Sequence, residues 1–145
     1  MNEFSVHDST MFNAYQPNGE VAADRWVTVR HLFDPGHVET PADKWERGQL
    51  LFTSGDYIRA AEVLAEVADE VPFQTDLFLL LARAYYHSAQ LGRAEARLRV
   101  IVERDPVEHY AHLLLGRTLE RQGRAEEAVP WLRLAAAFGG ELTEV

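Results

Sequence analysis

His109 and His112 stand three residues apart, a spacing that can turn two imidazoles to one side of a helix and let both reach a metal ion. A structural or catalytic zinc needs at least one more good ligand, and Glu108 is merely adjacent, so no metal site is expected. His7-Asp8-Ser9 and His87-Ser88 hold the residue types of a nucleophilic triad. Such a triad is defined by geometry in space, and adjacency along the chain says little. With no cysteine there is no thiol nucleophile, thiolate metal site or disulfide. No Gly-rich phosphate loop follows a strand. Catalysis is not expected, nor any cofactor. The residue types that remain are those of recognition: Arg83, Arg117 and Arg121 among Trp45, Phe52, Tyr86, His87 and Tyr110. A guanidinium can hold a carboxylate through two parallel hydrogen bonds and can stack on rings. Arginine and aromatic side chains also dominate binding hot spots.

The elements that would position these groups are announced by a repeat. Pro72 and Pro106 lie 34 residues apart, and sliding the sequence by that interval brings Tyr57-Ile58-Arg59-Ala60-Ala61 onto Leu91-Gly92-Arg93-Ala94-Glu95 and then onto Ala125-Glu126-Glu127-Ala128-Val129. Leu64, Leu98 and Leu132 share one register, as do Gly48, Ala82 and Gly116. Helices are expected at about 42–54, 57–70, 75–88, 91–104, 109–122 and 125–138, using the usual start and stop signals. Thr40 is placed to cap the first, with Pro41 tolerated in its opening turn. Ser54-Gly55 and Gln122-Gly123 break the outer pairs, and Pro72 and Pro106 follow helices they cannot continue.

At these residues the chain resembles the tetratricopeptide repeat family. Phe78, Leu81, Ala82, Tyr85, Ala94, Leu98, Ile101 and Pro106 carry the likeness in the second repeat. Leu115, Gly116, Ala128, Leu132 and Ala135 carry it in the third, and Gly48, Ala60, Leu64, Val67 and Pro72 in the first. The resemblance implies an all-α fold, a right-handed superhelical array of three helix–turn–helix repeats at about 41–74, 75–108 and 109–140. A non-repeat N-terminal arm, 1–40, and a short tail, 141–145, complete the chain. The residue types have a physical reason independent of the family. Small side chains at Gly48, Ala82 and Gly116, opposite Ala60, Ala94 and Ala128, let paired helices approach closely. Leu64, Leu98 and Leu132 fill the space between hairpins.

Departures from the family pattern are informative. Lys44 takes the place of an aromatic in the first repeat and Arg47 that of a leucine. That leaves the outer side of the first hairpin open to water or to residues 1–40. The arm holds Phe4, Met11, Phe12, Tyr15, Trp26 and Phe33, too many large apolar groups for a solvated tail, so it is expected to dock on the body or on a partner. Past Gly139-Gly140 there is no amphipathic capping helix. Val129, Trp131, Leu132, Leu134 and Phe138 form more apolar surface than one neighbour can cover, with Trp131, Leu134 and Phe138 as a candidate oligomer or cap edge.

The resemblance further implies that the first helix of each repeat builds a concave binding face. Its positions here are Trp45, Gln49, Phe52 and Thr53, then Leu79, Arg83, Tyr86 and His87, then Tyr110, Leu113, Arg117, Glu120 and Arg121. The expected function is an adaptor holding a protein or peptide segment with apolar anchors and acidic groups; the alternative is a self-assembling module. A plainer role stays open for the same residues: the aromatics as core or as support for the arm, and the arginines as a solvated face, Arg117 pairing with Glu120. Family members that clamp a chaperone's terminal carboxylate use Lys and Asn, where this chain has Trp45, Gln49, Leu80, Tyr110 and Leu114; chaperone tails are not expected ligands.

A net charge of −9 argues against nucleic-acid binding, which neutralises phosphates with Lys and Arg. The charge is lopsided: residues 1–74 hold thirteen acids against five bases, residues 75–145 ten against nine. No apolar run approaches the roughly 18 residues of a membrane span, and the first residues lack a secretory signal, so a cytoplasmic protein is expected. One lysine against thirteen arginines suits a high-GC bacterial genome.

Overall fold

The computed structural model describes residues 36–139, and all that follows concerns these. The chain divides between Glu39 and Thr40, and the second unit is a helical body. Its helices are α1 (Pro41–Thr53), α2 (Tyr57–Glu70), α3 (Thr75–His87), α4 (Leu91–Arg104), α5 (His109–Arg121) and α6 (Ala125–Ala137), with no strand among the described residues. Every expected helix is present, with ends within a residue of the sequence reading. The arm lies almost wholly outside the described residues, and the tail entirely so.

Local signals explain where helices start and stop. Thr40 and Asp43 cap α1 reciprocally: the Asp43 N–H donates to Thr40 Oγ1 at 3.2 Å, and the Thr40 N–H to Asp43 Oδ2 at 2.9 Å. Asp56 caps α2 by accepting from the Arg59 N–H at 3.2 Å. The turns inside the three hairpins are one motif repeated. The N–H groups of Asp56, Gln90 and Arg124 reach back five residues to the carbonyls of Leu51, Tyr85 and Leu119, at 2.8–2.9 Å. In each turn the residue before has positive φ: Gly55 at 84°, Gly123 at 77° and, in the middle hairpin, Ala89 at 59°.

Consecutive helices pack along the array, and the first helices also meet, α1 with α3 and α3 with α5. Alternating hairpin and inter-hairpin packing buries Ala60, Leu64, Leu81, Ala82, Ala94, Leu98, Ile101, Leu114 and Leu115 completely. Leu132, in the last described hairpin, is only half-buried. The close approach at Gly48 and Gly116 is toward leucine more than toward the opposite alanine. A Cβ at Gly48 would lie 2.5 Å from Leu64 Cδ2, and one at Gly116 would lie 2.5 Å from Leu132 Cδ2. The small residue therefore makes room for its own hairpin's leucine.

At the aromatic position of the first repeat, Lys44 forms a polar clasp between α1 and α2, its ammonium 2.5 Å from Glu70 Oε1 and 3.4 Å from Glu66 Oε2. The hydrogen bond Lys44 donates to Glu70, opposed by partial burial and aided by Glu66, holds Lys44 above the usual lysine range. His112 takes the corresponding position in α5. It is 3% exposed, donates from Nδ1 to the Glu108 carbonyl at 2.9 Å and lies beside the rings of Trp131 and Phe138. His109 is exposed. No group of three or more metal-ligating side chains occurs among the described residues. No described helix is long and apolar enough to cross a membrane.

Candidate peptide-binding groove

Three first helices, side by side, leave an open cavity of about 480 Å³ between them. Trp45 and Gln49 enter it from α1, Asp76, Leu79, Leu80 and Arg83 from α3, and Tyr110 from α5. The helical period explains the grouping: Asp76, Leu79, Leu80 and Arg83 fall at i, i+3, i+4 and i+7, one stripe of α3. Five of the positions expected on the concave face thus meet in one cavity. Asp76 and Leu80 line it as well, and the sequence reading did not name them as groove residues. The same period that selected Leu79 and Arg83 would have found both.

Arg83 is the centre of this surface. Its guanidinium carbon lies 4.7 Å from the Phe52 ring centroid and 5.8 Å from that of Tyr110, held between rings of α1 and α5. Its Nε is buried with no hydrogen-bond partner. Burial pushes the Tyr110 hydroxyl above its ordinary value, against the opposing charge and hydrogen bond of Arg83. Such cation–π contacts are worth about 0.5–1 kcal/mol each where partly exposed. They hold the guanidinium between the two rings.

Beyond the cavity, at the C-terminal ends of the first helices, lies an aromatic cluster. Tyr57 stacks on His87 at 4.8 Å between centroids, Phe52 meets Tyr57 edge-on at 5.1 Å, and Tyr86 meets His87 edge-on at 5.5 Å. Arg121 covers the Tyr86 ring at 4.5 Å and donates from Nη1 to the Tyr86 carbonyl at 2.8 Å. Burial, then the charges of Arg83 and Arg121, holds His87 below the usual histidine range. Tyr57 is not among the expected groove residues because it opens α2, whereas the concave positions lie on first helices. The tight hairpin turn brings it back against the end of α1.

Two expected groove residues stand apart. Leu113 is 3% exposed and does not line the cavity, so its side chain is not presented to a ligand. Arg117 pairs with Glu120 on its own helix at 2.9 Å, the intrahelical charge pair of the plainer reading. At the other candidate surface, Val129, Leu134 and Phe138 on or just after α6 are 40–43% exposed, whereas Trp131 is half-buried with the Arg99 guanidinium 5.9 Å from its ring.

These paired helices, the 34-residue register and the surface lined by first helices define a helical-repeat fold. Residues 51–114 match the tetratricopeptide repeat family model. Solved structures of the same fold extend the likeness over the whole body. MamA from AMB-1 superposes with a TM-score of 0.70 at 22% identity, over 86% of this chain and 73% of that one. A MamA D159K mutant gives 0.67 at 21%, over 74% of this chain, which spans only 58% of the MamA chain. The first tetratricopeptide repeat region of Spaghetti (RPAP3), bound to the HSP90 peptide SRMEEVD, gives 0.64 at 20%, over 68% of this chain and 79% of that one. No curated protein matches the sequence.

Proposed function

We propose that this chain is a non-enzymatic interaction module that holds an extended segment of a partner protein in the cavity between α1, α3 and α5. One observation carries the reading: Arg83, clamped between Phe52 and Tyr110 at the wall of an apolar-lined cavity, has a buried Nε without a partner. Ligand acids would meet Arg83 and the neighbouring Arg121, and apolar side chains would seat on Trp45, Leu79, Leu80 and Tyr110. A protein of similar fold binds a peptide bearing Glu and Asp. The residues at this chain's clamp positions, with Leu114 wholly buried, fit a different segment from a chaperone tail.

The test uses Arg83→Ala combined with Arg121→Ala. Partners captured from the source lysate by the unmodified chain are identified, and the bound segment is titrated against both proteins. A loss of tenfold or more in affinity, with the helical circular-dichroism signal and melting temperature retained, is expected. Retained affinity would remove the groove from consideration.

A second reading is supported by the apolar surface of α6, where Val129, Leu134 and Phe138 remain more than a third exposed. There the chain would associate with a second copy. Light scattering after size-exclusion chromatography should then show a dimer that Leu134→Glu with Phe138→Glu converts to monomer. A strict monomer for the unmodified chain across micromolar concentrations sinks this reading.

A further inference from the structure

The groove contains a feature that acid recognition alone leaves unexplained. Asp76 lines the same cavity as Arg83, yet the two do not pair. The Asp76 side chain is exposed and makes no hydrogen bond or ion pair with any described residue. Opposite charges in one 480 Å³ cavity, each without an ionic partner among the described residues, form a dipolar surface. A purely acidic ligand would be attracted at one end of it and repelled at the other.

Helix geometry sets the distance between the two charges. Asp76 and Arg83 are seven residues apart on α3. Seven residues at 1.5 Å each put their backbone positions about 10 Å apart, and seven residues are close to two full turns, so both project to one side. An extended segment in polyproline-II geometry advances about 3.1 Å per residue with three residues per turn, so side chains three apart share one face and span about 9 Å. In a flatter strand, where faces alternate, the nearest same-face match is four residues. Between the charges lie Leu79 and Leu80, with Trp45 from α1 and Tyr110 from α5 on the flanks. The aromatic flanks suit the cationic end too, since a Lys or Arg head beside Asp76 can also lie over an indole or phenol ring.

We propose that the groove reads a dipolar code: an extended segment with a basic side chain for Asp76, an acidic side chain for Arg83 three or four residues away, and an apolar residue between them. The inference rests on the groove reading above and sharpens it from acid recognition to recognition of a charge pair at fixed spacing. A free amino acid, whose charges lie far closer together, does not satisfy it. Neither does a polyacidic tail.

A synthetic peptide set supplies the test. Each fluorescein-labelled peptide carries one Lys and one Glu offset by one (adjacent) to seven positions, in both orders. All have the same number of Leu or Phe residues, placed between the charges where the offset allows, and Ser elsewhere. Control peptides replace the Lys, the Glu or both by Ala. Anisotropy titrations use the full chain and its Asp76→Asn and Arg83→Gln variants, with melting temperatures confirming folding. The expected optimum lies at a separation of three or four, at least tenfold tighter than the same composition with adjacent charges. In Asp76→Asn the Lys should cease to matter while the Glu still does, and Arg83→Gln should show the converse. If peptides keeping only the Glu bind as tightly as the pair, or affinity ignores separation, the dipolar code is overturned while the groove stands. If no peptide of any pattern binds below millimolar concentration, both the code and the groove reading fall.

Discussion

Ala89 occupies, in the middle hairpin, the left-handed turn position that Gly55 and Gly123 occupy in the other two. Its φ of 59° brings Cβ close to the following carbonyl oxygen, which costs a non-glycine residue about 1–2 kcal/mol. Replacement by glycine removes that strain, but glycine surrenders more freedom on folding, which takes back about 0.5–1 kcal/mol. Ala89 is exposed, so no burial is lost. Ala89→Gly should therefore stabilise the body by about 0.5–1 kcal/mol, raising the melting temperature by about 2–8 °C. The mirror substitution checks the argument. Around Gly123 a new Cβ would meet no atom within 4 Å, so only the backbone angle opposes it, and Gly123→Ala should destabilise by a similar amount. Thermal and urea unfolding followed by circular dichroism at 222 nm reads both. An Ala89→Gly protein that melts at or below the parent temperature would refute the reasoning, the more so if Gly123→Ala melts unchanged.

Other consequences concern charge and the last helix. His87 is held below its usual value by burial and by Arg83 and Arg121, so the unfolded chain takes up its proton first as pH falls. The stability that this neutral ring supports is complete above about pH 6.5 and declines below it, and His87→Gln should flatten the melting curve's pH dependence between pH 7 and 5. Arg124 Nη1 reaches from the third repeat to Glu95 of the second at 2.7 Å. Arg124→Ala should lower the chemical-denaturation midpoint slightly, since the pair is partly screened by solvent. Burial works to raise Glu95, but hydrogen bonds from Arg124 and Arg99 outweigh it and leave the carboxyl below its ordinary range. That contribution is present above about pH 4.5 and lost as acid protonates Glu95 in the folded state. Pro130, exposed inside α6, removes the hydrogen bond to the Glu126 carbonyl. Pro130→Ala should stabilise by about 1–3 kcal/mol in the same denaturation assay, and an unchanged midpoint would show that α6 contributes little to the cooperative unit.

The fold was legible because its constraints are local and periodic. The alanines at 60, 94 and 128 and the leucines at 64, 98 and 132 repeat where helices touch, and Thr40 and Pro72 mark a helix beginning and an end. The groove was legible in part, for the same reason: once α3 is a helix, Leu79 and Arg83 must share a stripe. Asp76 lies on that stripe too, one turn before Leu79, outside the concave positions that the family resemblance supplied. What sequence could not show was which member of a face is covered. Leu113 occupies in α5 the register of Leu79 in α3 and Trp45 in α1, yet it alone is buried. Arg117 occupies the register of Arg83, yet a glutamate three residues on engages it while Arg83 rests on rings. Such outcomes depend on neighbours distant along the chain. The sequence also gave no hint that Ala89 would accept a glycine's backbone.

That both charges of the groove belong to one uninterrupted helix separates two properties of the surface. If the repeats flex against each other, Trp45 and Tyr110 move with α1 and α5, widening or narrowing the seat for an apolar side chain. The backbone interval from Asp76 to Arg83 is internal to α3 and does not stretch. The array thus behaves as a vise whose jaws adjust around a rigid ruler: tolerant of what fills the middle, strict about the distance between the ends.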